Sequence, residues 1–91
     1  MALKWTTSAE RDLVRLHAFL APVNPRTAVQ VVRQLVVGAE QLLAYPHLGV
    51  LLEEFAPRDV RRVIIGDYEL RYELTDTSVY ILRLWHERED R

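Results

Sequence analysis

Four residues in the second half of the chain, Arg62, Arg71, Arg83 and His86, have the types that phosphodiester cleavage uses. Guanidinium groups stabilise charge developing on a phosphate, and an imidazole moves protons near neutral pH. The competing reading of the same pattern is a ladder of Arg and Glu along a wet sheet face. The basic residues are uneven, with eleven Arg against the single Lys4. Arginine suits bidentate contacts to carboxylate or phosphate, although genomic base composition gives the same bias. Net charge is −1, so no overall field draws nucleic acid. His17 and His47 have no ligand partners at metal spacing, so no metal and no cofactor are expected. Serine-nucleophile and phosphate-loop motifs are absent, because Gly38, Gly49 and Gly66 stand alone.

These groups need a scaffold, and 91 residues with 49% hydrophobic content suffice for one domain with one core, residues 1–91. There is no cysteine, which excludes disulfides and thiolate metal sites and fits a reducing compartment. No apolar run resembles a signal peptide or membrane span, so a cytoplasmic protein with no membrane partner is expected.

Ala2 to Thr6 reads as a short strand with Leu3 and Trp5 on one side. Thr7 to Glu10 fits a capping box, with Thr7 as the cap. A first helix then runs from about Ser8 to Leu20, burying Ala9, Leu13, Leu16 and Leu20, with Arg11 and Arg15 opposite. Pro22 ends it. Asn24 and Pro25 are a good cap and first position for a second helix running to about Ala44. Ala28, Val31, Val32, Leu35, Ala39, Leu42 and Leu43 share its apolar arc, widened by Val29 and Val36. Val37 lies among polar residues and points to a contact with another molecule, or is a lone exposed valine. Gly38 costs ~1 kcal/mol relative to Ala in mid-helix, so a close approach to the first helix is expected there.

Tyr45 to Gly49 stops the second helix, and Val50-Leu51-Leu52 is expected to tuck under the sheet. Strands follow at Val60–Ile65, Tyr68–Leu74 and Val79–Trp85. Gly66-Asp67 between the first two fits a type II′ turn. That turn fixes the register. Ile65, Val63 and Arg61 face Tyr68, Leu70 and Tyr72 on an apolar face. Ile64, Arg62 and Val60 face Glu69, Arg71 and Glu73 on a solvated one. The last strand is apolar on both faces, as in a strand with neighbours on each side. The fold class is α+β: an antiparallel sheet of about four strands, in the order β-α-α-β-β-β, with a helical hairpin on one face.

In order and spacing, several segments together resemble the RelE/ParE superfamily of type II toxin–antitoxin toxins. They are Lys4-Trp5-Thr6, Ala9-Glu10-Arg11-Asp12-Leu13, Asn24-Pro25 with Ala28, and Leu42 with Tyr45-Pro46 and Gly49. They continue through Arg61 to Tyr68, Arg71-Tyr72, and Ile81-Leu82-Arg83-Leu84-Trp85-His86. The likeness covers nearly the whole chain and is greatest to the ParE branch. It implies a toxin that poisons DNA gyrase and is neutralised by a cognate antitoxin. The RelE branch implies a ribosome-dependent endoribonuclease cutting messenger RNA in the A site, here through Arg62, Arg71, Arg83 and His86. In that branch an Arg usually follows the tyrosine that here is Tyr68, and lysines lead into the sheet. This chain has Glu69 and Glu53-Glu54 instead, and a carboxylate repels the scissile phosphate. A third reading is an inactive member that acts only as a corepressor with its antitoxin. On the ParE reading no catalytic residue is assigned. The target-binding residues are Arg83, Trp85, His86, Glu87 and Arg88 in an exposed C-terminal group reaching Arg91. The antitoxin-binding residues are Val36, Val37, Tyr68 and Leu82, in a hetero-oligomer with that partner.

Overall fold

The computed structural model describes residues 1–89. Five strands and two helices follow one another as β1 (Ala2–Trp5), α1 (Thr7–Leu20), α2 (Pro25–Gln41), β2 (Val50–Leu51), β3 (Asp59–Ile65), β4 (Tyr68–Leu74) and β5 (Ser78–His86). A single 3-10 turn, Glu53–Phe55, lies between β2 and β3. The sheet order is β1-β5-β4-β3-β2. The α+β class and the helical hairpin on one face are as expected, but there are five strands rather than about four.

The extra strand is Val50–Leu51. It pairs with β3 as an exposed edge instead of tucking beneath the sheet. Tyr72 explains this. Its hydroxyl donates to Pro46 O at 2.7 Å and accepts from Gly49 N–H at 2.9 Å, which steers the chain into the β3 edge. β1 is the other correction to a purely antiparallel sheet. It lies parallel to β5, with Ala2 opposite Ser78 and Trp5 opposite Ile81. The long excursion through the helices, β3 and β4 makes that parallel pairing possible.

The hairpin register matches expectation pair for pair, from Ile65–Tyr68 to Val60–Glu73. Gly66 has φ +61° while Asp67 keeps a negative φ, as a type II′ turn requires. A β-bulge explains the two-faced last strand. Arg71 pairs with Arg83 but Tyr72 pairs with Ile81, so Leu82 is the extra residue. Val79 and Ile81 therefore share the helix side with Leu84 and His86, while Tyr80, Arg83 and Trp85 take the other.

Thr6, not Thr7, caps α1. Its Oγ1 accepts from Ala9 N–H and donates to Ile81 O at 2.8 Å, so the cap is fixed by the strand alongside. Asn24 caps α2 and Pro25 opens it, as expected. Its end tightens from Gln41 through 3-10 bonds to Ala44. Ala9, Leu16, Leu35, Ala39 and Leu42 meet Leu70, Tyr72, Val79, Ile81 and Leu84 in the core. Val29 and Leu43, assigned to the buried arc, are exposed at its margins.

Gly38 abuts β3 rather than α1: a Cβ there would lie 2.4 Å from Ile65 Cδ1. A Cβ at Gly49 would lie 2.7 Å from Arg62 O and 2.8 Å from the Tyr72 ring. These surroundings set opposite expectations for alanine. At Gly38 a helix-propensity gain of ~1 kcal/mol is offset by turning one Ile65 methyl, so the net change should stay within about 1 kcal/mol. At Gly49 backbone and a hydrogen-bonded ring must move, costing about 1–3 kcal/mol. Urea titration of both variants checks this ordering; Gly49→Ala no worse than Gly38→Ala would refute it.

Candidate functional site

The outer sheet face, away from the helices, carries Arg62 on β3, Glu69, Arg71 and Glu73 on β4, and Tyr80, Arg83 and Trp85 on β5. It is not the open charge ladder expected of a solvated face. Glu69 is 2% exposed and Trp85 6%, and Val60 is fully buried. The 3-10 turn folds back against β3 and lays Phe55 over Arg71. The Arg71 guanidinium sits 5.6 Å from the Phe55 ring centre and 5.0 Å from that of Trp85. Arg83 stacks on Trp85 as well, at 5.6 Å. Trp85 was expected in an exposed C-terminal group; β5 instead runs on to His86 and two arginines cover the indole.

Carboxylates engage each arginine of this face. Glu69 accepts from Arg71 Nη2 at 3.3 Å and lies 3.7 Å from Arg62 Nη1. Arg83 is held from the side by Asp12, a buried residue of α1 that the apolar repeat does not reveal. Asp12 Oδ2 accepts from Arg83 Nε at 2.8 Å and from Leu84 N–H at 2.8 Å. Its Oδ1 accepts from Arg83 Nη2 and Arg15 Nη2, each at 3.2 Å. Burial alone would raise the Asp12 pKa. The Arg83 guanidinium, the Leu84 N–H and Arg15 outweigh it and hold the carboxyl below the usual range. Position 12, between Ala9 and Leu16 on the inward stripe, marks the acid as buried but does not say which cation it meets.

His86 is not with the arginines. It pairs with Tyr68 on the helix side, its ring edge-on to the phenol at 5.1 Å between centres. Its Nδ1 accepts from Arg88 N–H at 3.0 Å, and its own N–H donates to Glu89 at 2.7 Å. Arg15 pairs with Glu89, which folds this C-terminal turn back onto α1. Beneath it opens a cavity of about 510 Å³ between α1 and the sheet, floored by Leu16, Leu20 and Tyr68. Burial raises the Tyr68 pKa, with Asp67 and Glu89 adding to it, so the phenol stays protonated. Phe19, on the rim, is 77% exposed. Glu87 donates its N–H to Asp67 O, and Arg88 is exposed. Asp90 and Arg91, the end of the assigned target-binding group, lie outside the described residues.

The four antitoxin-binding candidates fall in three places. Val36 and Val37 line a groove with His17, Val29 and Val32, between the helices, and Val37 is 47% exposed. Tyr68 belongs to the cavity by β5, and Leu82 is the half-buried bulge residue. Among the described residues no three side chains of ligand type gather as a metal site, and no helix is long and apolar enough to cross a membrane.

A family model described as the ParE toxin of the type II toxin–antitoxin system parDE matches residues 3–91. The chain belongs to the ParE toxin family. It is therefore a type II toxin–antitoxin toxin of the wider RelE/ParE superfamily. Toxin RelE2 of Caulobacter vibrioides is 30% identical to this ParE-family toxin over 83 residues, 90% of each chain. In a chromosomal ParDE system from P. aeruginosa, a chain shares the fold at a TM-score of 0.79, with 22% identity over 94% of this chain and 95% of that one. A chain of the RelBE2 toxin–antitoxin complex from Mycobacterium tuberculosis superimposes at 0.67, with 32% identity over 93% and 95% of the two chains.

Proposed function

We propose that this toxin poisons DNA gyrase and is silenced by a cognate antitoxin. The observation that carries the reading is the division of the nuclease candidates between two faces. Arg62, Arg71 and Arg83 are on the outer face, and His86 is on the helix side beside Tyr68. Cleavage needs charge stabilisation and proton transfer on one phosphate, within hydrogen-bond reach of both. The resemblance to the ParE branch supplies the target. The contacts we assign to gyrase are Arg83, His86, Glu87 and Arg88, with Trp85 supporting Arg83 from below. For the antitoxin, the groove at Val36 and Val37 offers an apolar seat to an amphipathic segment that folds on binding. The toxin–antitoxin complexes among the similar structures support that partner.

The purified chain should inhibit supercoiling by gyrase or trap cleaved DNA, and should leave messenger intact on translating ribosomes. Deleting Glu87–Arg91 should weaken the gyrase effect at least about tenfold while far-ultraviolet circular dichroism holds, because β5 ends at His86. Messenger cut in the A site, and lost in His86→Ala, would replace this reading with the ribosome-dependent nuclease. The three arginines that share the outer face, two of them against Trp85, favour that second reading. A chain inert in both assays that still represses with its antitoxin would be a corepressor.

A further inference from the structure

We infer that Glu69 is a specificity-determining residue, which keeps nucleic-acid phosphates off the outer face by occupying the anion position between Arg62 and Arg71. It rests on the reading of this face as non-cleaving and names the residue that makes it so. A carboxylate that is 2% exposed is costly to bury without cationic partners, and here the partners are two arginines from adjacent strands. Arg62 and Arg71 stand directly opposite each other in the β3–β4 register. Two guanidinium groups side by side repel unless an anion lies between them, and Glu69 supplies that anion from within the chain. The cations themselves remain within reach of solvent, at 45% and 25% side-chain exposure. The Arg71 guanidinium lies over both the Phe55 and Trp85 rings, and its Nε has no hydrogen-bond partner among the described residues. Without the carboxylate, the face would present two adjacent arginines, Arg62 in the open and Arg71 beside two aromatic rings, which is what a single-stranded phosphodiester chain binds.

The probe is a fluorescein-labelled single-stranded RNA of about ten nucleotides, titrated by anisotropy across a range of salt. Glu69→Gln keeps the side-chain shape and should bind at least about tenfold tighter than the natural chain. The slope of log affinity against log salt should steepen by about 1.4, the value for two further single-strand phosphates. Glu53→Gln removes the same charge from the exposed 3-10 turn and should change affinity by less than about twofold. Equal affinities for Glu69→Gln and Glu53→Gln would overturn the inference. Arg62→Gln in the otherwise natural chain leaves the buried carboxylate in place, so the test survives even if Glu69→Gln does not fold. Arg62→Gln should leave binding unchanged, and a loss would mean that Arg62 already meets phosphate with Glu69 present. Failure of the gyrase reading shows separately, as messenger cleavage by the natural chain.

Discussion

Leu35→Ala should destabilise the domain by about 2–5 kcal/mol, a large share of the total stability of a chain this size. Leu35 is fully buried on α2, in the same core cluster as Leu70, Tyr72 and Ile81 of the sheet. Truncation removes the transfer free energy of the lost methyl and methylene groups and leaves a cavity. Collapse around it is limited, because the facing residues belong to hydrogen-bonded strands and Tyr72 is pinned by its two hydroxyl bonds. The loss should appear in urea denaturation as a lower midpoint at unchanged slope. A cost under about 1 kcal/mol would mean that α2 presents a different arc to the sheet.

Asp12→Ala should cost about 2–3 kcal/mol, somewhat less than the ~3–5 kcal/mol of breaking a fully buried ion pair, since Arg83 keeps half its side chain in water. The substitution strands the Leu84 N–H and detaches α1 from β5 at their polar contact. The pH dependence has a definite sign. The folded pKa of Asp12 lies below its ordinary 3.8, so the folded state favours the ionised form. Its contribution is fully present above that ordinary value and is lost as pH falls through the lower folded value. The natural chain should therefore lose stability more steeply below about pH 4 than Asp12→Asn does. Parallel acid limbs in thermal melts of the two proteins would show that Asp12 does not carry the effect.

What the sequence disclosed and what it hid follow one physical rule. Periodicity and turn chemistry are local, so the two helices, the Gly66-Asp67 turn and the β3–β4 register were legible. The bulge at Leu82 is set by pairing with β4, which local alternation cannot show, and it made β5 look apolar on both sides. The cap moved to Thr6 because a strand at the far end of the chain accepts its hydroxyl proton. In the candidate site, the outward arginines could be read from alternation. The carboxylates that engage them could be read only in part: Glu69 is a cross-strand neighbour, whereas Asp12 approaches from a helix 71 residues away. Arg83 and His86, three residues apart on β5, face opposite ways by simple alternation, and the bulge before them decides that Arg83 rather than His86 joins Arg62 and Arg71.

The parallel pairing of β1 with β5 also bears on the order in which the protein can assemble during synthesis. β1 leaves the ribosome first, yet each of its partners, from Ser78 to Ile81, is made after the rest of the sheet. Until then one side of the core, including the faces of Leu3 and Trp5, has nothing to close against. Such late, non-local closure delays folding until translation of the domain is nearly finished. A growing chain therefore lacks its closed sheet through most of its own translation, and a partner that recognises the folded domain meets it only at the end of synthesis.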